Sequence, residues 1–422
     1  MARRSAGLLA VARERKEVDV AGLRDEATAI AAELTKLRRA IHADPEIGLD
    51  LPRTQRKVLD ALDPLPVEIS LGQRLSSVTA VLRGGRPGPT VLLRADMDAL
   101  PVTERTEVSY AAPQPGAMHA CGHDLHTAML AGAARLLTAR QADLTGSVVF
   151  MFQPGEEGAG GARLMIEEGV LDAAGERPVA AYALHVASGL LPLGLVASRA
   201  GPMLAAADTL HVTVHGRGGH GSQPQHAADP IPAACEIVLA LQTMVTRQFD
   251  VFDPVVVTVG SFHAGTADNV IPDDAELHAT VRSFSPASRA AIRAAALRLA
   301  RDIATAHGLT ATADYEDGYP VTVNNDAELA FAAETVGDVL GAGRYVAAPN
   351  PIPGAEDFSY VLNEVPGAYL MLGAVPASAD PLTAPFNHSA YAVFDDAALP
   401  DGAALYAALA LGRLARGRSQ QD

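Results

Sequence analysis

A thiol and an imidazole stand two positions apart in Cys121-Gly122-His123-Asp124, inside a segment, MHACGHDLHTAML, that reads as the opening of a helix. Sulfur and ring nitrogen together suit a borderline metal such as zinc. Alone the pair is a weak signal, since an isolated cysteine or histidine more often fills a core or a surface, and His119 and His126 close by are assigned to no metal. Adjacent carboxylates, Glu156 and Glu157 of MFQPGEEGAGGA, follow a fully apolar run. Consecutive side chains there point in different directions, so one can bind a cation while the other handles protons; a solvated acidic turn is the plain alternative. Asp96 and Asp98 of RADMDALP lie beyond another apolar run, His185 ends a third in AYALHV, and His388 sits in NHSAY.

These residues need a scaffold that gathers them. Apolar residues from Val20 to Ile41 recur by threes and fours and predict one amphipathic helix. Compact runs at Val78–Leu82, Thr90–Ala95, Ser147–Gln153 and Val179–Val186 read as buried strands, with helices at Thr127–Thr138 and Ala162–Glu168 between them. That alternation predicts an α/β domain, layered α/β/α around a mostly parallel sheet, whose ligand sites form at the carboxyl ends of strands. A second pattern runs from about Ala206: a strand at Thr209–His215, a helix over Pro230–Gln248, strands at Val255–Phe262 and Ala275–Phe284, a helix capped by Ser285 with Pro286 in its first turn, and a strand near Leu309–Tyr315. The order β-α-β-β-α-β predicts an inserted ferredoxin-like unit, a lid or dimerisation domain. The expected division is a tail over 1–19, a catalytic domain over 20–204 and 320–422, and the insert over 205–319. A short strand at Ala368–Leu372 rejoins the first sheet.

Composition narrows the function classes. The chain has 422 residues, 49% of them hydrophobic, enough for more than one core. No run approaches the ~20 apolar residues that span a bilayer. The apolar patch at 6–12 is cut off by Arg13, Arg15 and Lys16, so it reads as a tail and not an export signal. With two cysteines, Cys121 and Cys235, no disulfide framework is expected, and Cys235 reads as a buried small residue. A cytoplasmic location is the expectation. The formal charge of −16 and the absence of tryptophan speak against nucleic-acid binding.

RADMDALP, CGHD, PGEEG, ALHV, GGHGSQP, NVIP, AEDFS and NHS occur in that order. Together they resemble the metallopeptidase and amidohydrolase family that contains aminoacylases, hippurate hydrolases and plant auxin-conjugate hydrolases, over about Leu34 to Arg413. The resemblance implies two divalent metal ions per subunit, zinc first, with manganese, cobalt or nickel as alternatives. Cys121 would bridge them, His123 and His185 would complete one site, and Glu157 and His388 the other. Glu156 would be the general base and acid. Asp98 would be the carboxylate that orients His123, and Asp96 a site-shaping residue. His220 would stabilise the tetrahedral oxyanion, reaching the active site of a partner subunit in a homodimer, with Asn269 assisting. Arg282 would grip the substrate carboxylate and Gly354 would offer it a backbone contact; an exposed strand arginine is the alternative for Arg282. Asn387 and Ala390, flanking His388, depart from the family pattern.

The implied reaction is hydrolysis of the amide bond of an N-acyl amino acid, hippurate-like, N-acetyl or aryl-acyl. A dipeptidase or carboxypeptidase of the same family fits the same residues. A metal-free cysteine hydrolase using Cys121 belongs to another class, and chelation separates the two. A non-catalytic scaffold would need lost ligands, and Cys121, His123, Glu156, Glu157, His185 and His388 are all present.

Overall fold

The computed structural model describes residue 20 and residues 22–417; the tail expected over 1–19 lies outside the described residues. Where one helix is expected from Val20 to Ile41, there are two, α1 (Leu23–Ala29) and α2 (Ala31–His42). The chain kinks at Ile30, with φ −103° and ψ 6°. Leu23, Ala27, Leu34 and Ile41 are nevertheless all buried, so the inward stripe survives the break. Next come α3 (Pro52–Leu62), β1 (Glu68–Leu71), β2 (Val78–Arg83), β3 (Arg86–Asp96), α4 (His123–Thr138), β4 (Thr145–Gln153), α5 (Gly161–Glu167), β5 (Ala180–Ala187), β6 (Val196–Ser198) and β7 (Gly201–Leu204). The middle of the chain forms β8 (Ala206–His215), β9 (Gly219–His220), α6 (Pro230–Gln248), β10 (Val255–Ala264), β11 (Val270–Ile271), β12 (Asp274–Ser283), α7 (Pro286–Ala306) and β13 (Thr310–Glu316). It then returns through β14 (Thr322–Asn324), α8 (Asp326–Leu340), β15 (Tyr345–Ala347), α9 (Ser359–Glu364), β16 (Gly367–Gly373) and α10 (Ala398–Arg416).

The large sheet has eight strands in the order β1-β2-β4-β3-β5-β16-β6-β15. Its centre, β4-β3-β5-β16, is parallel, and antiparallel pairings flank it. Both faces are covered, which is why these strands read as unbroken apolar runs. Leu93, Phe150, Tyr182 and Leu184 pack with residues of α1, α2, α4, α8 and α10 in one core. Their strand neighbours Leu92, Val149, Met151 and Ala183 join Met165 of α5 and Val361 of α9 in another. The α/β/α layering is the expected one.

The second sheet runs β10-β12-β8-β13, antiparallel throughout. Leu210, Val212, Leu277, Ile237, Leu241 and Ile292 form a separate core between this sheet and α6 and α7. Asp229 caps α6 by accepting the Ile231 N–H, and Ser285 caps α7 by accepting the Ser288 N–H, each with proline in the first turn. A small two-stranded antiparallel sheet, β9 with β11, is added to the predicted order. Cys235 is exposed, not buried. At about 100° per residue, α6 turns Ala233, Ala234, Ile237, Leu241 and Met244 inward and leaves Cys235 outside that stripe. No helix among the described residues is long and apolar enough to cross a membrane.

Candidate active site

Glycine decides how closely the first ligand candidates approach the sheet. Gly122 adopts a left-handed backbone with φ 85°, and a Cβ there would stand 2.3 Å from Val186 Cγ2. Only glycine lets Cys121 and His123 abut the end of β5. His123 is the first residue of α4, so Cys121 stands just ahead of the helix N-terminus. Cys121 Sγ lies 3.3 Å from His185 Nε2. His185 Nδ1 faces the Val186 carbonyl at 2.9 Å and must therefore be the donor, which leaves Nε2 a lone pair. His123 repeats the device: Nδ1–H donates to the Asp98 carbonyl at 2.8 Å, and the buried Nε2 has no hydrogen-bond partner among the described residues.

The ligand atoms of Cys121, His123 and His185 lie within 4.8 Å of one another, and so do those of Cys121, Glu157 and His388. Cys121 belongs to both groups. His388 is carried in with φ 73°, a left-handed backbone that non-glycine residues rarely adopt. Its N–H donates to the Ala120 carbonyl at 2.8 Å, and its Nε2 is 3.2 Å from Glu157 Oε1.

Asp98 holds both glutamates. Its two carboxylate oxygens accept the backbone N–H groups of Glu156 at 3.0 Å and Glu157 at 3.1 Å. Toward His123 the short contact is with the Asp98 main-chain carbonyl, while the Asp98 carboxylate expected to orient that ring stands 3.5 Å from Nδ1. The two glutamates are driven apart in acidity. Burial pushes Glu156 well above the usual carboxylate range, and Glu356, Glu157 and Asp357 push it further. Burial raises Glu157 too, but the hydrogen bond with His388 and the field of His123 outweigh it, and Glu157 ends below its ordinary value. Neighbouring carboxyls pushed apart in this way can divide proton transfer from cation binding.

A buried polar scaffold lies beneath. Arg94, near the C-terminal end of β3, donates to Asp96 at 2.7 Å, to Glu356 and Asp357 at 2.9 Å each, and to Gln153 at 2.9 Å. Asp96 accepts from His126 at 2.5 Å. Asn387 donates to the Val186 carbonyl at 2.9 Å and to the Cys121 carbonyl at 3.2 Å, and so ties the His388 loop to β5 and to the start of α4.

The remaining sequence-predicted residues lie elsewhere. His220 and Asn269 line an open cavity of about 550 Å³ with Gly218, Gly219 and Pro272. His220 is exposed and its Nδ1 accepts the Ser222 N–H at 3.2 Å. Arg282, on β12, donates to Thr280 Oγ1 at 2.5 Å and to the Val281 carbonyl. The Gly354 carbonyl accepts the Ala205 N–H at 2.9 Å, where β7 passes into β8. Among the described residues, none of these four bonds to a ligand candidate.

The sequence profile of Peptidase family M20/M25/M40 matches residues 92–412. The chain belongs to that family. It is 37% identical to thermostable carboxypeptidase 2 of Saccharolobus solfataricus, over 92% of this chain and 97% of that protein. With the IAA-amino acid hydrolase ILR1-like 4 of Arabidopsis thaliana it shares 39% identity over 89% of this chain and 84% of the relative. The crystal structure of the Bacillus subtilis YXEP protein, described as a dinuclear metal-binding peptidase of family M20, superposes with a TM-score of 0.79 at 33% identity, covering 92% of this chain and 99% of that one. This M20-family chain is a metal-dependent hydrolase of amide bonds.

The residues present fit a pair of cations. His123 Nε2 is buried without a hydrogen-bond partner among the described residues, a costly state unless something else binds it. Thiolate, imidazole and carboxylate are all good donors to a borderline dication. The site also rests on residues to which sequence reasoning gives no role: Arg94, His126, Asn387, Glu356 and Asp357. Two traces of them stand in the sequence, Arg94 as a charge inside an apolar strand and the Glu356-Asp357 pair inside AEDFS.

Proposed function

We propose that the chain hydrolyses the amide bond of N-acyl amino acids. The observation that carries this reading is the shared cysteine: two ligand groups, Cys121/His123/His185 and Cys121/Glu157/His388, meet at one thiol beside a glutamate whose acidity is suppressed. The mixed sulfur, nitrogen and oxygen set favours zinc, with manganese, cobalt or nickel as alternatives. Bound there, divalent ions supply Lewis-acid polarisation and acidify water. Glu156 takes the proton from the attacking water as its oxygen bonds to the amide carbon, and delivers that proton to nitrogen as the C–N bond breaks. Asp98 fixes the backbone from which Glu156 acts.

In this reading residues 205–319 are an inserted lid and dimerisation unit between catalytic segments 20–204 and 320–422. His220 and Asn269 serve the oxyanion across a homodimer, Arg282 and Gly354 receive the substrate carboxylate, and the enzyme is cytoplasmic. The free carboxylate is favoured because one relative is named for amino acid conjugates and another is a carboxypeptidase. The carboxypeptidase activity is the second reading.

Glu156→Gln is expected to keep the metal and lower turnover on N-acyl amino acids by about 100-fold to 10,000-fold. Ordinary activity in that variant would remove Glu156 from the role. A panel of N-acetyl, N-benzoyl and indolyl-acyl amino acids and dipeptides, assayed with metal-loaded enzyme, ranks the substrate classes; inertness of every carboxylate-bearing amide would overturn the proposal.

A further inference from the structure

The parallel ladder between β3 and β5 ends early. Its registered pairs run from Val91 with Ala180 to Arg94 with Ala183, although β3 continues to Asp96 and β5 to Ala187. Past that point the strands are bridged by side chains. The Leu184 N–H donates to Tyr406 Oη at 2.9 Å, and Tyr406 donates in turn to the Arg94 carbonyl at 2.5 Å. Two residues further on, the Val186 N–H donates to His126 Nε2 at 2.8 Å, and His126 Nδ1 lies 2.5 Å from Asp96 Oδ1. These contacts stand in for two missing rungs of the ladder, at the strand ends where the ligand candidates sit.

The protons in this chain of bonds are determined. A backbone N–H can only donate, so His126 Nε2 is the bare nitrogen and Nδ1 carries hydrogen toward Asp96. Asp96 is held from its other oxygen by Arg94 Nη1 at 2.7 Å. His126 lies one turn beyond His123 on α4 and grips the peptide N–H immediately after His185. It therefore joins the helix that carries one ligand candidate to the strand that carries another. His185 in turn has its tautomer set by the Val186 carbonyl.

We infer that His126 is a positioning residue of the metal centre: it replaces a strand rung, locks β5 to α4, and so holds His185 at the distance from Cys121 and His123 that a cation requires. His126 is no ligand in this assignment, and the inference rests on the two-cation reading above.

The test is titration of the metal-free full-length protein with zinc against a chromophoric chelator, for wild type, His126→Gln and His126→Leu. Glutamine can still accept the Val186 N–H, whereas leucine cannot. Uptake of two ions by wild type is the check on the two-cation reading itself; its failure would sink that reading and this inference with it. Given that uptake, His126→Leu is expected to weaken the weaker-bound or both ions by about 10-fold to 100-fold, the range for residues that orient ligands, with His126→Gln recovering most of the loss. Cobalt-loaded samples should show altered d–d bands in His126→Leu and near wild-type bands in His126→Gln. Wild-type affinity and spectra in both variants would overturn the inference. If His126→Leu does not fold, His126→Gln is read together with Asp96→Asn, which keeps the rung and weakens its anchor: near wild-type affinity in the first with a loss in the second supports the assignment, and any other pattern overturns it.

Discussion

Both oxygens of the Asp98 carboxylate are committed to the N–H groups of Glu156 and Glu157. Asp98→Asn keeps the shape but offers one N–H an amide nitrogen in place of an acceptor, a buried mismatch. The loop that aims both glutamates should loosen, and kcat should fall about 10-fold to 100-fold at saturating metal with KM little changed. Steady-state kinetics with N-acyl amino acids check it; an unaltered kcat would reduce Asp98 to its main-chain contact with His123. Cys121, His123, Glu156, Glu157, His185 and His388 are legible as candidates because their side chains carry their own chemistry. His126, Asn387 and Tyr406 are not, since they act by bonding main-chain atoms of residues 60 to 312 positions away in the chain. Residue type does not announce that task. Asp98 shows the intermediate case, a residue legible for its carboxylate whose bond to His123 is made by its backbone.

Where α2 meets α4, His42 donates to Asp124 at 2.8 Å and lies 3.3 Å from Glu104, with Arg38 on the same Asp124 at 2.7 Å. Burial pulls the His42 imidazole down, but Asp124 and Glu104 outweigh it and hold it at about 9. A histidine raised in the folded state adds stability that is complete below its unfolded value of roughly 6.5 and is lost as pH rises through the folded value. His42→Gln should therefore cost on the order of 2 kcal/mol at about pH 6 and much less at about pH 9.5, read from urea unfolding at both pH values. An equal cost at both would mean that His42 packs α2 without its charge. In the other sheet, Ser285→Ala removes the cap of α7 and should cost about 1 kcal/mol in the same assay without touching kcat. The long elements are readable from periodicity, including α6 and α7 with its Ser285 cap. The kink at Ile30 is not, because the apolar spacing continues across it, and β1, β6 and β15 are too short or too exposed to leave a pattern.

The two sheets meet through the segments around residues 205 and 319. Tyr319 donates to the Glu156 carbonyl at 2.6 Å and accepts the Gly160 N–H at 2.9 Å, while its own carbonyl accepts the Ala207 N–H at 3.0 Å. The link to the second sheet thus touches the loop that carries Glu156 directly, yet His220 bonds to no ligand candidate among the described residues. A residue that serves the reaction from the β9–β11 pair must either swing inward or act in a second copy. Mixing inactive variants separates these routes. If His220 serves the partner's site, a one-to-one mixture of Glu156→Gln and His220→Ala, allowed to exchange subunits, forms mixed dimers that each contain one site with both residues intact. About one quarter of wild-type activity should then return. If His220 serves its own chain, every site lacks one residue and exchange restores nothing. Exchange must be shown independently, by mass spectrometry of differently tagged subunits; demonstrated mixed dimers without recovered activity would place His220 with its own active site or outside the reaction.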